Sequence, residues 1–330
     1  MSEWVTRQLS TLADVRVSNV DKKSLPGEKP VLLCNYMDAY ANDYIRSDIA
    51  FMEATASAAE IAKFKVDVGD VVVTKDSETP DDIGLPAVVT EQIDNLVCGY
   101  HLALLKTRKE FVDPVFLCKQ LGSHEAARYF GQRAAGSTRY GLSNGALANF
   151  PVSLPGLPKQ RRIATILVGI DTAIEKTEAL IAKYQQIKAG LMHDLFTRGV
   201  LPNGQLRPPR EQAPELYQET AIGWIPREWD VVLMVSLAED RAGSTTIGPF
   251  GSDLVATDYR PEGVPVVFVR DIKESGFQWN SETYVSERKA QQLNAHSVKA
   301  GEVLATKMGL PPCISCVYPS WMPNGVITAD

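Results

Sequence analysis

The chain carries the same stretch twice. VDVGDVVVTK (66–75) returns as VKAGEVLATK (298–307), and the neighbours agree in the same order. WVTRQLSTLAD (4–14) resembles WDVVLMVSLAE (229–239), PVLLCNYMD (30–38) sits over PVVFVRDIK (265–273), and GLP at 84–86 meets a second GLP at 309–311. The period is far too long for a solenoid. It restricts the fold to two similar domains, with Trp4 over Trp229, Leu12 over Leu237 and Asn35 over Arg270.

Between the copies the period changes. From Gln160 to Thr197, Ile163, Leu167, Ile170, Ile174, Thr177, Ile181, Tyr184, Lys188, Leu191 and Leu195 fall at alternating steps of four and three. That is the spacing of a coiled-coil seam. A second stripe at Ile166, Ala173, Leu180 and Ile187 widens the face. A helix of this length, with a rise of 1.5 Å per residue, is roughly 60 Å long, and a partner must pack along it. Residues 1–155 show short β-rich runs followed by a shorter helical stretch. Residues 201–222, rich in Pro and polar groups, read as a linker. Residues 223–330 are the second copy, which stops opposite the middle of the first. The fold class is α+β: two similar β-rich domains, 1–155 and an incomplete 223–330, joined by a long coiled-coil-type helix at 156–200.

With 330 residues, 45% hydrophobic and 22% charged, the chain reads as an ordinary soluble protein. It shows no signal peptide and no apolar run near the roughly 18 residues a membrane span needs, so a cytoplasmic location is expected. Five cysteines without framework spacing suit a reducing compartment. Cys313 and Cys316 form the one Cys-x-x-Cys pair and lack the second pair that a zinc site needs; they read as buried strand residues. There is no Walker loop, Gly-x-Gly-x-x-Gly turn or Gly-x-Ser-x-Gly elbow. HEAAR (124–128) places Arg128 where a zincin has its second histidine. No catalytic residue and no metal site is expected, which favours a binding role. The net charge of −6 means that a grip on nucleic acid would draw partly on another chain.

The segment LPKQRRIATILVGIDTAIEKTEALIAKYQQIKAGLMHDLFTRGV (157–200) resembles the central conserved helix of the specificity subunits of type I restriction–modification systems. CNYMDAYANDYI, GSTRYGLS, GWIPREWDVV and GPFGSDLVATDYRPEGVPVVFVRDI look like parts of their target recognition domains. The resemblance implies a sequence-specific DNA-binding subunit for a bipartite target, each domain reading one half-site while the helix sets the gap. A 60 Å rod is comparable with about 17 base pairs at 3.4 Å each. The implied partners are double-stranded DNA, modification subunits and restriction subunits. S-adenosylmethionine, ATP and Mg are expected on those partners and none on this chain. A full-length member would complete the second domain and add a second, antiparallel helix. Truncation or self-association through the exposed helix is therefore expected. The alternative is a scaffold or decoy that binds modification subunits without productive DNA recognition.

Base edges are read by bidentate and aromatic side chains, while small hydroxyls and cations hold phosphates. On the resemblance, the DNA-binding candidates of the first domain are Asn35, Tyr36, Asn42, Tyr44, Arg46, Lys75, Ser137, Thr138, Arg139 and Tyr140. Those of the second are Ser244, Thr245, Thr246, Phe250, Ser252, Arg270 and Lys307. Lys75 and Lys307 recur at matching places in the repeat.

Overall fold

The computed structural model describes residues 4–240 and 243–330. The chain forms two compact units, Met1–Gly190 and Leu191–Asp330.

In the first unit the run VVVT is apolar at successive positions because its strand, Val71–Thr74, is covered on both faces. It is the middle strand of a five-stranded sheet ordered Ala13–Val17, Leu102–Thr107, Val71–Thr74, Pro86–Val89, Tyr44–Ile45. All pairings are antiparallel except the last. Val71, Val73, Val88, Ala103 and Leu105 enter one core with Phe116, Leu117, Phe130 and Phe150. Val72, Ala87, Val89, Leu102 and Leu104 enter a second core with Leu33, Phe64 and Val97. Two helices, Pro114–Leu121 and His124–Gly131, line the first core. Asp113 caps one by accepting the Phe116 N–H at 3.0 Å, and Ser123 caps the other. A three-stranded sheet of Met52–Ala56, Lys29–Cys34 and Leu96–Cys98 closes the second core.

The predicted long helix is present as Leu157–Thr197, 41 residues. Its first turns anchor on the first core through Ile163, Ala164 and Val168. Gln160, 2% exposed, donates to the carbonyls of Pro155 (2.8 Å) and Phe111 (3.3 Å) and accepts the Asp113 N–H (2.9 Å). Beyond that anchor the seam is bare: Ile170, Ile174, Ile181, Tyr184, Leu191 and Leu195 are exposed, and Leu167 is half-buried.

Residues 201–222 are not the open linker that their composition predicts. Arg198 and Arg207 each donate Nε–H to the other's carbonyl, at 2.7 and 2.8 Å, and the buried Arg207 guanidinium pairs with Glu228. Tyr217–Thr220 and Gly223–Pro226 form a hairpin, and Tyr217 Oη donates to the Pro208 carbonyl at 2.7 Å. The prolines and polar groups that read as a tether serve a small folded element around one arginine.

The second unit repeats the first, with a shifted register. The strand Val264–Val267 has an antiparallel neighbour, Tyr284–Val285, and a parallel one, Gly325–Ile327. Lys29–Cys34 has the same arrangement with Met52–Ala56 and Leu96–Cys98. Ser57 and Ser286 cap the helices Ala58–Phe64 and Glu287–Gln292. Asp70 and Glu302 accept the N–H groups of Asp67 and Lys299 at 2.7 and 2.8 Å, around turns where Gly69 and Gly301 have φ of 88° and 87°. Thr74 and Thr306 bridge the mouth of the next loop alike. Their hydroxyls accept from Leu85 and Ile314, and their carbonyls accept from Gly84 and Cys313.

These bonds correct two sequence matches. Cys34 and Val267 carbonyls accept from Gly99 and Thr328, and Asp38 and Asp271 carboxylates accept from Asn35 and Phe268. Asn35 therefore corresponds to Phe268, and Arg270 falls two residues further on. The two GLP stretches are not equivalent either, since Gly84 corresponds to Cys313, both with positive φ. Cys316 lies half-buried in the strand Ser315–Val317 as expected of a strand residue, whereas Cys313 is exposed at the turn.

One difference between the units is large. Val71 and Val88 are buried, but their counterparts Val303 and Val317 are 73% and 58% exposed. Val71 pairs with Leu105 of the strand Leu102–Thr107. Among the described residues no strand takes that place beside Val303–Ala305.

Candidate nucleic-acid interface

In the first unit the ends of several elements meet on one surface. The short helix Tyr36–Tyr40 begins at Asn35, whose N–H donates to Asp38 at 2.7 Å. Burial raises the Asp38 carboxyl above the ordinary range, against the pull of that hydrogen bond. Tyr36 and Tyr40 stack at 5.5 Å between centroids, and Tyr40 Oη donates to Asp82 at 3.3 Å. Asp82 also accepts from Ser77 and Thr79, and the Ser77 bond is the first reason its carboxyl sits below the usual range. Ser77 pairs with Tyr140 and Asp76 with Gly141. The loop before Tyr140 turns sharply at Gly136, φ 144°, where an added Cβ would lie 2.0 Å from the Arg139 carbonyl oxygen. Ser137, Thr138 and Arg139 are exposed on that loop.

Lys75 leaves the sheet at the centre of this surface. Its Nζ lies 2.7 Å from Asp76 Oδ2 and 5.3 Å from the Tyr100 ring centroid. Asp76 Oδ2 is also 2.6 Å from His101 Nδ1, and the Tyr100 and His101 rings meet edge to face at 4.1 Å. The structure thus brings Tyr36, Lys75, Arg139 and Tyr140 to one surface, with Asn35 behind it as a helix cap. Sequence reasoning missed Tyr40, Tyr100 and His101. The one available signal was GYH (99–101) closing an apolar run, an aromatic and an imidazole where a strand ends.

Three candidates do other work. Asn42 Nδ2 donates to the Asp38 carbonyl at 2.9 Å at the end of the short helix. Tyr44 is buried against the long helix and donates to Asp171 at 2.5 Å. Lys119 bridges Asp43 and Asp171 at 2.6 and 2.8 Å, and Arg46 makes a two-pronged contact with Glu175 at 3.2 and 3.3 Å. Burial works to raise the Asp171 carboxyl, but the Lys119 and Tyr44 hydrogen bonds outweigh it and hold it low. Burial, then Asp171, raises the Tyr44 phenol well above its ordinary value. Tyr44 and Arg46 are therefore ties between the domain and the helix. Asp171 and Glu175, one turn apart, supply the acceptors.

In the second unit Lys307 holds the place of Lys75. Its N–H donates to the Asp330 carbonyl at 2.7 Å, as the Lys75 N–H donates to the His101 carbonyl at 3.0 Å. Its Nζ lies 4.9 Å from the Phe250 ring centroid. Arg270 lies over Phe268 at 4.4 Å and donates Nε–H to Ser281 at 2.8 Å. Phe268, Arg270, Lys273, Met308 and Asp330 line an open groove of about 620 Å³. Thr245, Thr246, Phe250 and Ser252 are exposed, with Ser244 half-buried. Among the described residues no group of three or more His, Cys, Asp or Glu could hold a metal ion, and no helix is long and apolar enough to cross a membrane.

Two similar β-rich units, each ending in a surface of aromatic, hydroxyl and cationic side chains, with a long half-bare helix, define a protein built by duplication. Residues 1–186 match the family model of the type I restriction modification DNA specificity domain, and the chain belongs to that family. It is 25% identical over 220 residues to the putative type I restriction enzyme MjaX specificity subunit of Methanocaldococcus jannaschii, over 66% of this chain and 47% of that one. It is 20% identical over 287 residues to the MjaVIII specificity subunit of the same organism, over 86% of this chain and 60% of that one. The chain thus spans about half of the first relative and three-fifths of the second. A solved structure described as the basis of complex assembly and conformational transition of the type I R-M system shares the fold. Its TM-score is 0.51 and its identity 16%, over 99% of this chain and 74% of that one.

Proposed function

We propose that this chain is a non-catalytic specificity subunit that binds double-stranded DNA and directs type I modification and restriction subunits to it. The observation that carries this reading is the duplication with divergence. The same strand, turn and threonine-bridged loop occur in both units, yet Asn35, Tyr100 and His101 in one correspond to Phe268, Ala329 and Asp330 in the other. One scaffold presenting two chemistries suits a target of two unlike half-sites. The bare helical seam suits packing against another subunit. On this reading the methyl donor and the nucleotide belong to the partners, in the cytoplasm. An acidic chain then grips DNA within a complex whose other members neutralise phosphate. Selection from a randomised duplex library, with the modification subunit present and salt fixed, tests the reading. Enrichment of one or two short words supports it. Absence of enrichment, together with weaker DNA binding by the modification subunit, would establish a decoy instead.

A further inference from the structure

Resting on that reading, we infer that His101 is a base-reading residue of the first unit, accepting a hydrogen bond through Nε2 from the exocyclic amino group of an adenine or a cytosine.

Four observations converge on this imidazole. First, its backbone sits at φ 73°, a region a residue with a Cβ seldom occupies and one that collects at functional sites. Second, the turn that holds it is pinned by backbone bonds on each side: Gly99 to the Cys34 carbonyl (2.8 Å), Tyr100 to the Val20 carbonyl (2.7 Å) and Lys75 to the His101 carbonyl (3.0 Å). A reader needs such a rigid mount. Third, Nδ1 lies 2.6 Å from Asp76 Oδ2. An ionised carboxylate only accepts, so Nδ1 carries the hydrogen, which leaves Nε2 as the ring nitrogen facing outward and as an acceptor in the uncharged imidazole. Nε2 has no hydrogen-bond partner among the described residues. In the major groove an acceptor meets adenine N6 or cytosine N4, whereas guanine N7 and O6 repel it. Fourth, the second unit keeps the backbone contact but places Asp330 there, so the side chain differs where two half-sites would be told apart. Tyr100, half exposed against the Lys75 ammonium, supplies the neighbouring flat surface. Asp76 acts through the ring and is a positioning residue.

The test uses the full chain with its modification subunit. Selection with wild type and with His101→Ala identifies the position whose preference flattens. A duplex with an analogue lacking the amino group there, and one carrying a 7-deazapurine, are then compared. The wild type is expected to lose roughly five- to tenfold in affinity on removal of the amino group, the size of one good base contact, and nothing with the 7-deazapurine. His101→Ala is expected to show no further loss with the first analogue. Asp76→Asn, which frees the tautomer, is expected to admit guanine at that position while leaving the others sharp. An unchanged word for His101→Ala, or equal flattening at every position, overturns the inference. A wild-type chain that enriches no word overturns the proposed function, and this inference with it.

Discussion

Lys75 shows how a side chain's task follows from what surrounds it. Its ammonium is held between Asp76 and the Tyr100 ring, a mount that fixes the position of the cation, and the same carboxylate orients His101. Lys75→Ala is expected to weaken binding to target and unrelated duplex alike and to lower the salt slope by about 1, as loss of one phosphate contact does. Binding titrations at several salt concentrations check this. Gly136 makes a second case. At φ 144° with the Arg139 carbonyl 2.0 Å from an added Cβ, Gly136→Ala must open the loop that carries Ser137 to Tyr140. A loss of about 1–3 kcal/mol in urea unfolding is expected. The lysine was legible in the sequence because it recurs after the same strand. The glycine's role was not, because it depends on a carbonyl that only the folded loop brings near.

At the scale of elements, the long helix was the most legible part, since a 3.5-residue period over many turns has no competing explanation in a strand or loop. A polar loop after a strand resembles a reader, so the sequence offers Tyr44 and Arg46 as DNA contacts. Their partners, Asp171 and Glu175, lie far along the chain, and no local pattern announces such a pairing. The consequence is measurable. Asp171 is held low by its partners, so the folded state binds fewer protons there than the unfolded chain. Stability from this group is present above the unfolded carboxylate value of about 3.9 and is lost as pH falls through the folded value. Asp171→Asn is expected to lower the melting temperature at pH 7 and to reduce the further drop between pH 5 and pH 3. Thermal melts across that range decide it. Further along, Ile174, Ile181 and Tyr184 are half or more exposed, so their joint replacement by Gln is expected to leave the melting temperature nearly unchanged. Co-purification with the modification subunit is expected to be lost.

For the whole molecule, the repeat was legible as a fact and misread in register. Identical letters place GLP over GLP, whereas the hydrogen bonds, which no letter carries, place Gly84 with Cys313. The corrected register moves Arg270 opposite Met37, on a face of its own beside Phe268. Arg270→Ala is expected to spare the word read by the first unit and to erase that read by the second, and selection with the variant separates the two. The threonine bridge has a wider consequence. Thr74 and Thr306 each hold both ends of the following loop with their own hydroxyl and carbonyl, so the flanking strands keep the same pairing, Val71 with Val88 and Val303 with Val317, across loops that differ. Nine residues lie between Thr74 and Gly84, and six between Thr306 and Cys313. On the proposed function, one pair of strands can thus carry loops of different length and chemistry, and so two different words, without a change in its own hydrogen bonds.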